Sequence, residues 1–259
     1  MELTVEQIQQ NWEILFKIID TEILEPRKTQ LKELFTKNED YLIIAPASSK
    51  KEYHGCYPGG LVSHIIDVID NSELLYELWR QKGANMGTFT REELIFSALV
   101  HDLGKLDNYI PNIDTWRREK LGEQYMFNDT LPFASVPDRG LFILQQEGIK
   151  YSFNEMIAIQ THDGLYDEAN KKYLQGFAAE QKPRTCLPYI LHQADIMASR
   201  IEFEEEHADL LSPGRKTPIE NKKESNFKLE TKKTPIKQKA LSSINTGVTS
   251  NLMNLLKDL

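Results

Sequence analysis

The sequence predicts an all-α fold, and two observations support this prediction. Apolar residues recur at helical spacing through most of the first 211 residues, as they do between Ile8 and Ile19. The start of a helix is marked by a Ser or Thr followed three residues later by Glu or Gln at Thr4, Thr90 and Ser152. One segment departs from this pattern. It predicts a small β-hairpin insertion, with strands at Tyr125–Phe127 and Leu131–Phe133 joined by Asn128 and Asp129.

The predicted helices follow one another along the chain. The first begins after Thr4, and a second stretch covers roughly residues 21–37. Further helices are predicted over Leu61–Trp79, after a Pro-Gly-Gly loop, and from Thr90 to the pair His101–Asp102, where Gly104 supplies a stop signal. Ser152 starts a helix that ends at His162, and Pro188–Leu210 forms the last long helix of the body. The body, residues 1–211, is therefore predicted to be one helical bundle.

The composition changes after Leu211. Residues 212–250 are rich in Lys, Ser, Thr and Asn and predict a disordered basic linker. Residues 251–259 form a short amphipathic segment with Leu252, Met253, Leu255, Leu256 and Leu259. Such a segment either docks into the groove of a protein partner or packs back on its own domain.

Charge and cysteine content restrict the function classes. The chain carries a net charge of −8, but the 48 residues from Ser212 onward hold ten Lys and Arg against four Asp and Glu, a charge of +6. The preceding 211 residues hold 21 against 35, a charge of −14, which argues against duplex binding and leaves a nucleotide or a single-strand end. Two cysteines, no long apolar run and no signal-like N-terminus predict a cytoplasmic protein without a membrane span.

Histidines and aspartates occur where a metal site needs them. The order along the chain is His64, then His101–Asp102, then His162–Asp163, then Asp195. Burying an ionised carboxylate is costly unless it is paired or bound to a metal. Because each group lies on or beside a different predicted helix, several of them can converge inside a bundle and bind a divalent cation.

These residues also carry a resemblance to a known family. The stretches that carry it are Pro46-Ala-Ser, Tyr53-His54, Gly59-Gly-Leu-Val-Ser-His64, Ala98-Leu-Val-His-Asp-Leu-Gly-Lys105, Thr161-His-Asp-Gly164 and Tyr189-Ile-Leu-His-Gln-Ala-Asp195. Together they resemble the HD superfamily of metal-dependent phosphohydrolases, and within it most closely the HD domain of YhaM-type 3′-to-5′ exoribonucleases. The resemblance covers roughly residues 46–200 and implies an all-helical HD-domain bundle.

The resemblance implies two metal positions. Matched residue by residue, His64, His101, Asp102 and Asp195 correspond to the first metal site. In two-metal members the counterpart of Asp102 also bridges to a second ion, and His162 matches one of that ion's histidine ligands. This chain departs from the family at Asp163 and at Glu123, where carboxylates replace histidines. The second site is therefore either oxygen-rich or absent, and the expected ions are Mn²⁺, Co²⁺ or Mg²⁺.

The chemistry expected of such a site is hydrolysis by metal-activated water. Asp102 and Lys105 are the expected catalytic groups, with Lys105 neutralising the phosphate; its other interpretation is a lysine favoured near a helix C-terminus. Three further residues are candidate substrate contacts. His54 would touch substrate or support the metal ligands, Arg200 would reach a phosphate or pair with Glu204, and Tyr57 would stack on a base or pack in the core.

The expected function is hydrolysis of a phosphoester in a nucleotide or at a single-stranded 3′ end. The family resemblance favours the exonuclease. The acidic body and the roughly 45 residues before the first motif, too few for the family's OB domain, favour a small nucleotide. An alternative is a catalytically weak HD-fold binding protein that acts through its C-terminal tail. The sequence leaves the oligomeric state open.

Overall fold

The computed structural model describes residues 2–207, 236–237 and 250–257, and it confirms a mainly helical fold. The α-helices are α1 (Val5–Glu22), α2 (Arg27–Lys37), α3 (Glu39–Leu42), α4 (Gly60–Gln81), α5 (Arg91–Val100), α6 (Thr115–Leu121), α7 (Val136–Gln146), α8 (Phe153–Thr161), α9 (Lys171–Leu174), α10 (Leu187–Glu206) and α11 (Ser250–Leu255). Short 3-10 turns lie at Met86–Thr88, Leu103–Lys105, Gly164–Tyr166, Glu168–Asn170 and Ala179–Gln181.

Three helices begin where the capping pattern places them. The side chains of Thr4, Thr90 and Ser152 accept hydrogen bonds from backbone amides in the first turns of α1, α5 and α8. In each case the Gln or Glu three residues later bonds back to the amide of the capping residue, so two otherwise unpaired donors are satisfied at once. The N-termini of α5 and α8 are thus fixed locally, and their opposite ends reach the interior of the bundle.

The core of the bundle is built by α4, α5, α8 and α10. Helix α10 packs against α4 and α8, and α5 lies between α4 and α8, while α1 covers the outer face of α4. Fully buried aliphatic side chains fill the space between them, including Leu61, Ile65, Leu99, Ile159 and Leu191. Each contributes about 1.5–3 kcal/mol relative to an exposed position. This packing fixes the relative positions of the four helices.

The loop before α4 lies against the first turn of that helix. Gly59 has a φ of +78°, a conformation that favours glycine. At Gly60 an added Cβ would lie 2.1 Å from the carbonyl oxygen of Gly55, so no larger residue fits without moving the loop. The amide of Ala47 also donates to the Gly55 carbonyl at 2.8 Å. The loop carrying His54 is therefore held directly over the start of α4.

The small sheet exists, but the predicted hairpin partner is wrong. Strand β1 (Tyr109–Pro111) pairs antiparallel with β2 (Tyr125–Phe127), with Tyr109 opposite Phe127 and Pro111 opposite Tyr125. Helix α6 lies between the two strands, and residues 131–133 form no strand. After Phe127 the side chain of Asn128 accepts from the amide of Thr130 and turns the chain, and Phe133 is left fully exposed. The strand that pairs with β2 therefore comes from earlier in the chain.

The second predicted helical stretch is divided. Helix α1 extends through Glu22, the chain turns, and α2 starts at Arg27 immediately after Pro26. A proline disfavours helical geometry in the residue before it, so a continuous helix across residues 23–26 is not formed. The last long helix of the body is confirmed as α10; residues 208–210 of its predicted span lie outside the described residues.

The C-terminal segment packs on the body. In α11 the Leu252 side chain is buried in contact with the apolar core, and the side chain of Asn251 donates to Asp40 at 2.9 Å. Helix α11 lies against α1, which supports the second of the two interpretations of this segment. Of the predicted linker 212–250, only residues 236, 237 and 250 are described. Lys237 donates from its backbone to Asp70 and from its ammonium to Asp67, both on α4.

No described helix combines the length and the apolar character that crossing a bilayer requires.

Candidate metal centre

The histidines and aspartates singled out in the sequence converge in the core of the bundle. We call His64, His101, Asp102, His162, Asp163 and Asp195 the His/Asp cluster. Helix α4 carries His64 and α10 carries Asp195, while His101 and His162 stand at the C-terminal ends of α5 and α8. Asp102 follows His101 directly and is only 1% exposed. Four separate helices therefore build one buried cluster.

One group of candidate ligand atoms comes from three of these helices. The Nε2 atoms of His64 and His101 lie 3.3 Å apart, and Asp195 Oδ1 lies 3.0 Å from His64 Nε2. The ligand atoms of His64, His101 and Asp195 all lie within 4.8 Å of one another. Such a set of two imidazoles and a carboxylate can hold a divalent metal ion.

Asp102 connects this group to a second one. Its Oδ2 lies 3.4 Å from His101 Nε2 and 3.6 Å from His64 Nε2, whereas its Oδ1 faces His162 Nε2 at 3.5 Å. His101, Asp102 and His162 form one further group within 4.8 Å, and His162, Asp163 and Asp195 form another. Asp102 thus presents one oxygen to each side of the cluster. Of the two carboxylates that stand where the HD family has histidines, Asp163 is the one that lies at the cluster.

Two histidines are oriented by the ends of their own helices. The Nδ1 atom of His101 lies 2.8 Å from the carbonyl oxygen of Ala98, and Nδ1 of His162 lies 2.8 Å from the carbonyl of Ile159. A carbonyl can only accept, so both Nδ1 atoms are the protonated donors when the imidazoles are neutral. Each ring then presents a bare Nε2 lone pair to the interior of the cluster, as metal ligation requires.

The same arrangement directs two helix dipoles at the cluster. Helix α5 ends at Val100 and α8 ends at Thr161, and the residues that follow are the two oriented histidines. The C-terminus of a helix carries a partial negative charge that favours a nearby cation. Because both helices end at the same place, their dipoles add to the field of the carboxylates. The centre is therefore negative, although it is lined by histidines.

The pKa values of the charged groups show the same preference for positive charge. Burial alone would raise the pKa of Asp102, but Lys105 and His101 outweigh it and hold that pKa well below its ordinary value. The pKa of Asp195 is also lowered, since His64 offsets the effect of burial. Burial would lower the pKa of His162, yet Asp102 and Asp163 raise it to about 9. Both aspartates are anionic, and a cation is stabilised between them.

Lys105 lies at the edge of the cluster on the turn after the His-Asp pair. Its Nζ donates to Asp102 Oδ2 at 2.7 Å, and its side chain is mostly buried. Burial acts to lower the pKa of Lys105, but the charge of Asp102 raises it above the ordinary value. The ammonium therefore remains charged inside the site, next to the carboxylate that lies between His64 and His101 on one side and His162 on the other.

His54 lies closer to the His/Asp cluster than the sequence indicates. The centroid of its ring lies 4.5 Å from that of His64, and its Nε2 is buried without a hydrogen-bond partner among the described residues. Burial, together with electrostatic interactions with His64 and Lys105, lowers the pKa of His54 to about 3. It is therefore a neutral imidazole with an unpaired nitrogen at the rim of the cluster. The motif Tyr53-His54 before the Gly-Gly turn is the signal that points to it.

Three predicted site residues lie elsewhere. Glu123 pairs with Arg117 at 2.9 Å and Lys50 at 3.3 Å, so neighbouring cations hold its carboxylate, and no ligand group among the described residues contains it. Arg200 is exposed and pairs with Glu204 at 2.9 Å, which is the alternative interpretation of that residue. Tyr57 is buried in the wall of a neighbouring cavity.

His192 contacts the backbone that carries His162 of the cluster. Its Nδ1 lies 2.6 Å from the backbone carbonyl of His162, and its ring covers Gly164, where an added Cβ would lie 1.9 Å from it. Gly164 has a φ of +57° and begins the 3-10 turn that follows His162 and Asp163. The contact fixes the backbone that positions His162.

A metal ion fits this cluster on the chemistry of its donors. Bare imidazole nitrogens and ionised carboxylates together suit a divalent cation. In addition, Asp102 Oδ1 is buried and has no hydrogen-bond partner within the part of the chain that the structure describes, and coordination of a metal ion would satisfy this oxygen. The buried His and Asp groups can therefore hold a metal ion.

Comparisons of the chain with protein-family models, with curated proteins and with solved structures return no match.

Proposed function

We propose that the protein is a metal-dependent phosphohydrolase of the HD type. The observation that carries the proposal is the position of Asp102, a buried carboxylate with one oxygen facing His64 and His101 and the other facing His162. A structural histidine with a neighbouring capping aspartate would not need four helices to converge on it. The resemblance of the surrounding motifs to the HD superfamily names the same residues independently.

The first ion would be held by His64, His101, Asp102 and Asp195, and a second by Asp102, His162 and Asp163. This mixture of imidazole and carboxylate suits Mn²⁺ or Co²⁺, with Mg²⁺ as the third candidate. When bound, such ions polarise phosphoryl oxygens and lower the pKa of water so that it attacks phosphorus near neutral pH.

The chain's own residues supply the rest of the chemistry. Lys105 holds a positive charge at the cluster and neutralises the equatorial oxygens of the phosphate as their charge increases. His54 presents an unpaired ring nitrogen at the rim, where it can hydrogen-bond the substrate. Burial of His64, His101, Asp102 and His162 strengthens the electrostatic interactions on the inner side of the site.

We expect the substrate to be a nucleotide or the 3′ end of a single strand. The charge of −14 on residues 1–211 offers little attraction to a long polyanion. Neither Cys56 nor Cys186 forms a disulfide, which fits a reducing compartment and supports our placing the protein in the cytoplasm. The alternative is a binding protein that acts through its tail. The burial of Leu252 on the protein's own body argues against it.

The experiment is a hydrolysis screen with two variants. Protein stripped with a chelator is given Mn²⁺, Co²⁺ or Mg²⁺ and offered nucleoside monophosphates and short oligonucleotides, and released phosphate or nucleotide is measured. Asp102→Ala should abolish the metal-dependent product. Lys105→Met should lower kcat about 100-fold, as the loss of one charge-stabilising donor does.

Lys171→Met is the matched control. Lys171 also pairs with an acidic residue three positions earlier, Glu168 at 2.7 Å, but that pair is exposed and lies outside the His/Asp cluster. Its turnover should equal that of the wild type. If the wild-type protein hydrolyses none of these substrates with any of the three ions, the proposed function is wrong.

A further inference from the structure

A small pocket, of about 190 Å³, lies where two helices of the core begin. Phe153 and Asn154, the first two residues of α8, form one side of it, and Thr185 and Pro188, at the start of α10, form another. Its volume is below the range of about 300–1,000 Å³ that is typical of sites for drug-sized molecules. The pocket therefore suits a ligand of only a few atoms.

The pocket lies at the positive ends of these two helices. The N-terminus of a helix carries a partial positive charge, and its first amides have no partner within the helix, so it attracts anions. The side chain of Ser152 caps α8, but no described side chain caps α10, which is 20 residues long. The first turn of α10 is therefore the side of the pocket that is open to an anion.

Thr185 lies at this uncapped N-terminus with an unpaired hydroxyl. The residue is only 8% exposed, and it lines the pocket. Its hydroxyl forms no hydrogen bond with any described residue, and it is not sealed off from the space of the pocket. Buried polar groups in proteins normally have a hydrogen-bond partner, because leaving one without a partner costs free energy. An acceptor atom in the pocket would provide the missing partner.

Two cationic side chains lie beside this hydroxyl. Lys182 and Arg184 line the pocket, and neither forms an ion pair with a described residue. Among the described residues of the lining, Glu180 carries the only negative charge, so two positive charges stand against one. Because residues 1–211 together carry a charge of −14, the pocket is a locally positive place on an acidic body. The favoured ligand is therefore an anion.

We propose that this pocket binds a small oxyanion, a phosphate or a carboxylate group, at the N-terminus of α10. Arg184 and Lys182 neutralise its charge, and the hydroxyl of Thr185 donates a hydrogen bond to one of its oxygens. Ile157 and Tyr173 form an apolar part of the lining and provide no further charge. The site therefore fits a single anionic group better than a polyanion.

The pocket is separate from the His/Asp cluster. Asp195 lies eight residues after Leu187, about 12 Å along α10, and His162 lies nine residues after Phe153, about 14 Å along α8. The described lining of the pocket contains no residue of the cluster. Anion binding here thus requires neither a metal ion nor hydrolysis, so this inference and the proposed function can fail independently.

The test is titration calorimetry of the full-length, chelator-treated protein with sodium phosphate and with sodium acetate. Sodium chloride at the same ionic strength is the reference. The anion that binds more tightly identifies the group, phosphate or carboxylate. Arg184→Gln should weaken its binding about tenfold, because a charge-assisted hydrogen bond is lost. Thr185→Val should also weaken it, whereas Thr185→Ser, which keeps the hydroxyl, should bind as the wild type does.

Arg118→Gln is the matched control. Arg118 is an exposed arginine that forms no ion pair with a described residue, but it lies on α6 and does not line the pocket. Its affinity for the anion should equal that of the wild type. Affinities unchanged in both Arg184→Gln and Thr185→Val, or heats no larger than those of chloride, would overturn the inference. Loss of binding in Lys105→Met would overturn it as well, since the anion would then lie at the His/Asp cluster.

Discussion

Replacing Asp102 with asparagine keeps the shape of the side chain and removes the charge on which the cluster depends. In metal-free protein the change leaves the mostly buried Lys105 without its counterion. Breaking a buried ion pair by removing one partner costs about 3–5 kcal/mol. For a body of this size each kcal/mol lowers the Tm by about 2–4 °C, so Asp102→Asn should melt about 10 °C below the wild type.

The metal response should be lost in the same variant. A ligand at 100 times its Kd stabilises the native state by about 2.7 kcal/mol. The Tm of the wild-type protein should therefore rise by about 5–10 °C at such a concentration of Mn²⁺. Because Asp102 belongs to both of the proposed ion positions, the asparagine variant should show no rise at the same concentration.

Differential scanning calorimetry of chelator-treated protein, with and without Mn²⁺, Co²⁺ or Mg²⁺, measures both effects. Asp107→Asn is the matched control, because Asp107 also pairs with a cation, Arg139, but contributes to no ligand group among the described residues. Its Tm should change by no more than a few degrees, and its metal response should equal that of the wild type. A metal-induced rise that survives in Asp102→Asn would refute the shared-ligand argument.

Two further predictions concern pH and the C-terminal segment. The pKa of His162 is raised from 6.5 to about 9, so its stabilising contribution, of order 3 kcal/mol, is complete below about pH 6.5 and is lost as the pH rises through about 9. Urea denaturation of metal-free protein from pH 6 to 9.5 should show this loss, and an equally steep loss in His162→Gln would contradict it. Leu252→Ala should lower the free energy of unfolding by about 2–5 kcal/mol, whereas Met253→Ala, at a half-exposed position, should lower it by less than about 1 kcal/mol. Equal urea midpoints for these two variants would show that α11 does not pack on the body.

The helices were predictable because their signals are local. A capping residue and the glutamate or glutamine three positions later contact each other within one turn, so Thr4, Thr90 and Ser152 mark helix starts wherever the rest of the chain lies. The partner of β2 could not be predicted in the same way. Strand pairing joins residues far apart in sequence, and here α6 intervenes between Tyr109–Pro111 and Tyr125–Phe127.

In the candidate site, too, some residues could be predicted from local sequence signals and others could not. His64, His101, Asp102 and Asp195 were predictable because each occurs in a motif on a helix with a buried face, and burial of those faces brings them together. Glu123 lies apart from the cluster, because a carboxylate in a loop pairs with whichever cations the tertiary structure places beside it, here Arg117 and Lys50. The spacing of residues in the sequence does not show which cations will lie beside this carboxylate.

The position of His54 depends on tertiary structure for another reason. Nothing local in the loop indicates that the ring of His54 will rest on that of His64. The contact follows from the close approach of Gly55 to Gly60, which is visible only when the loop is folded against α4. The sequence supplies the two glycines, and their packing supplies the geometry.

The two oxygens of Asp102 face opposite sides of the cluster, and this has a consequence for metal content. Its Oδ2 faces His64 and His101 and its Oδ1 faces His162, so ions on the two sides would draw on the charge of one carboxylate. If both proposed positions bind ions, occupancy of either side would change the affinity of the other through a reciprocal coupling free energy. The two positions would then behave as one thermodynamic unit, and the free concentration of the ion would set how many ions each molecule carries.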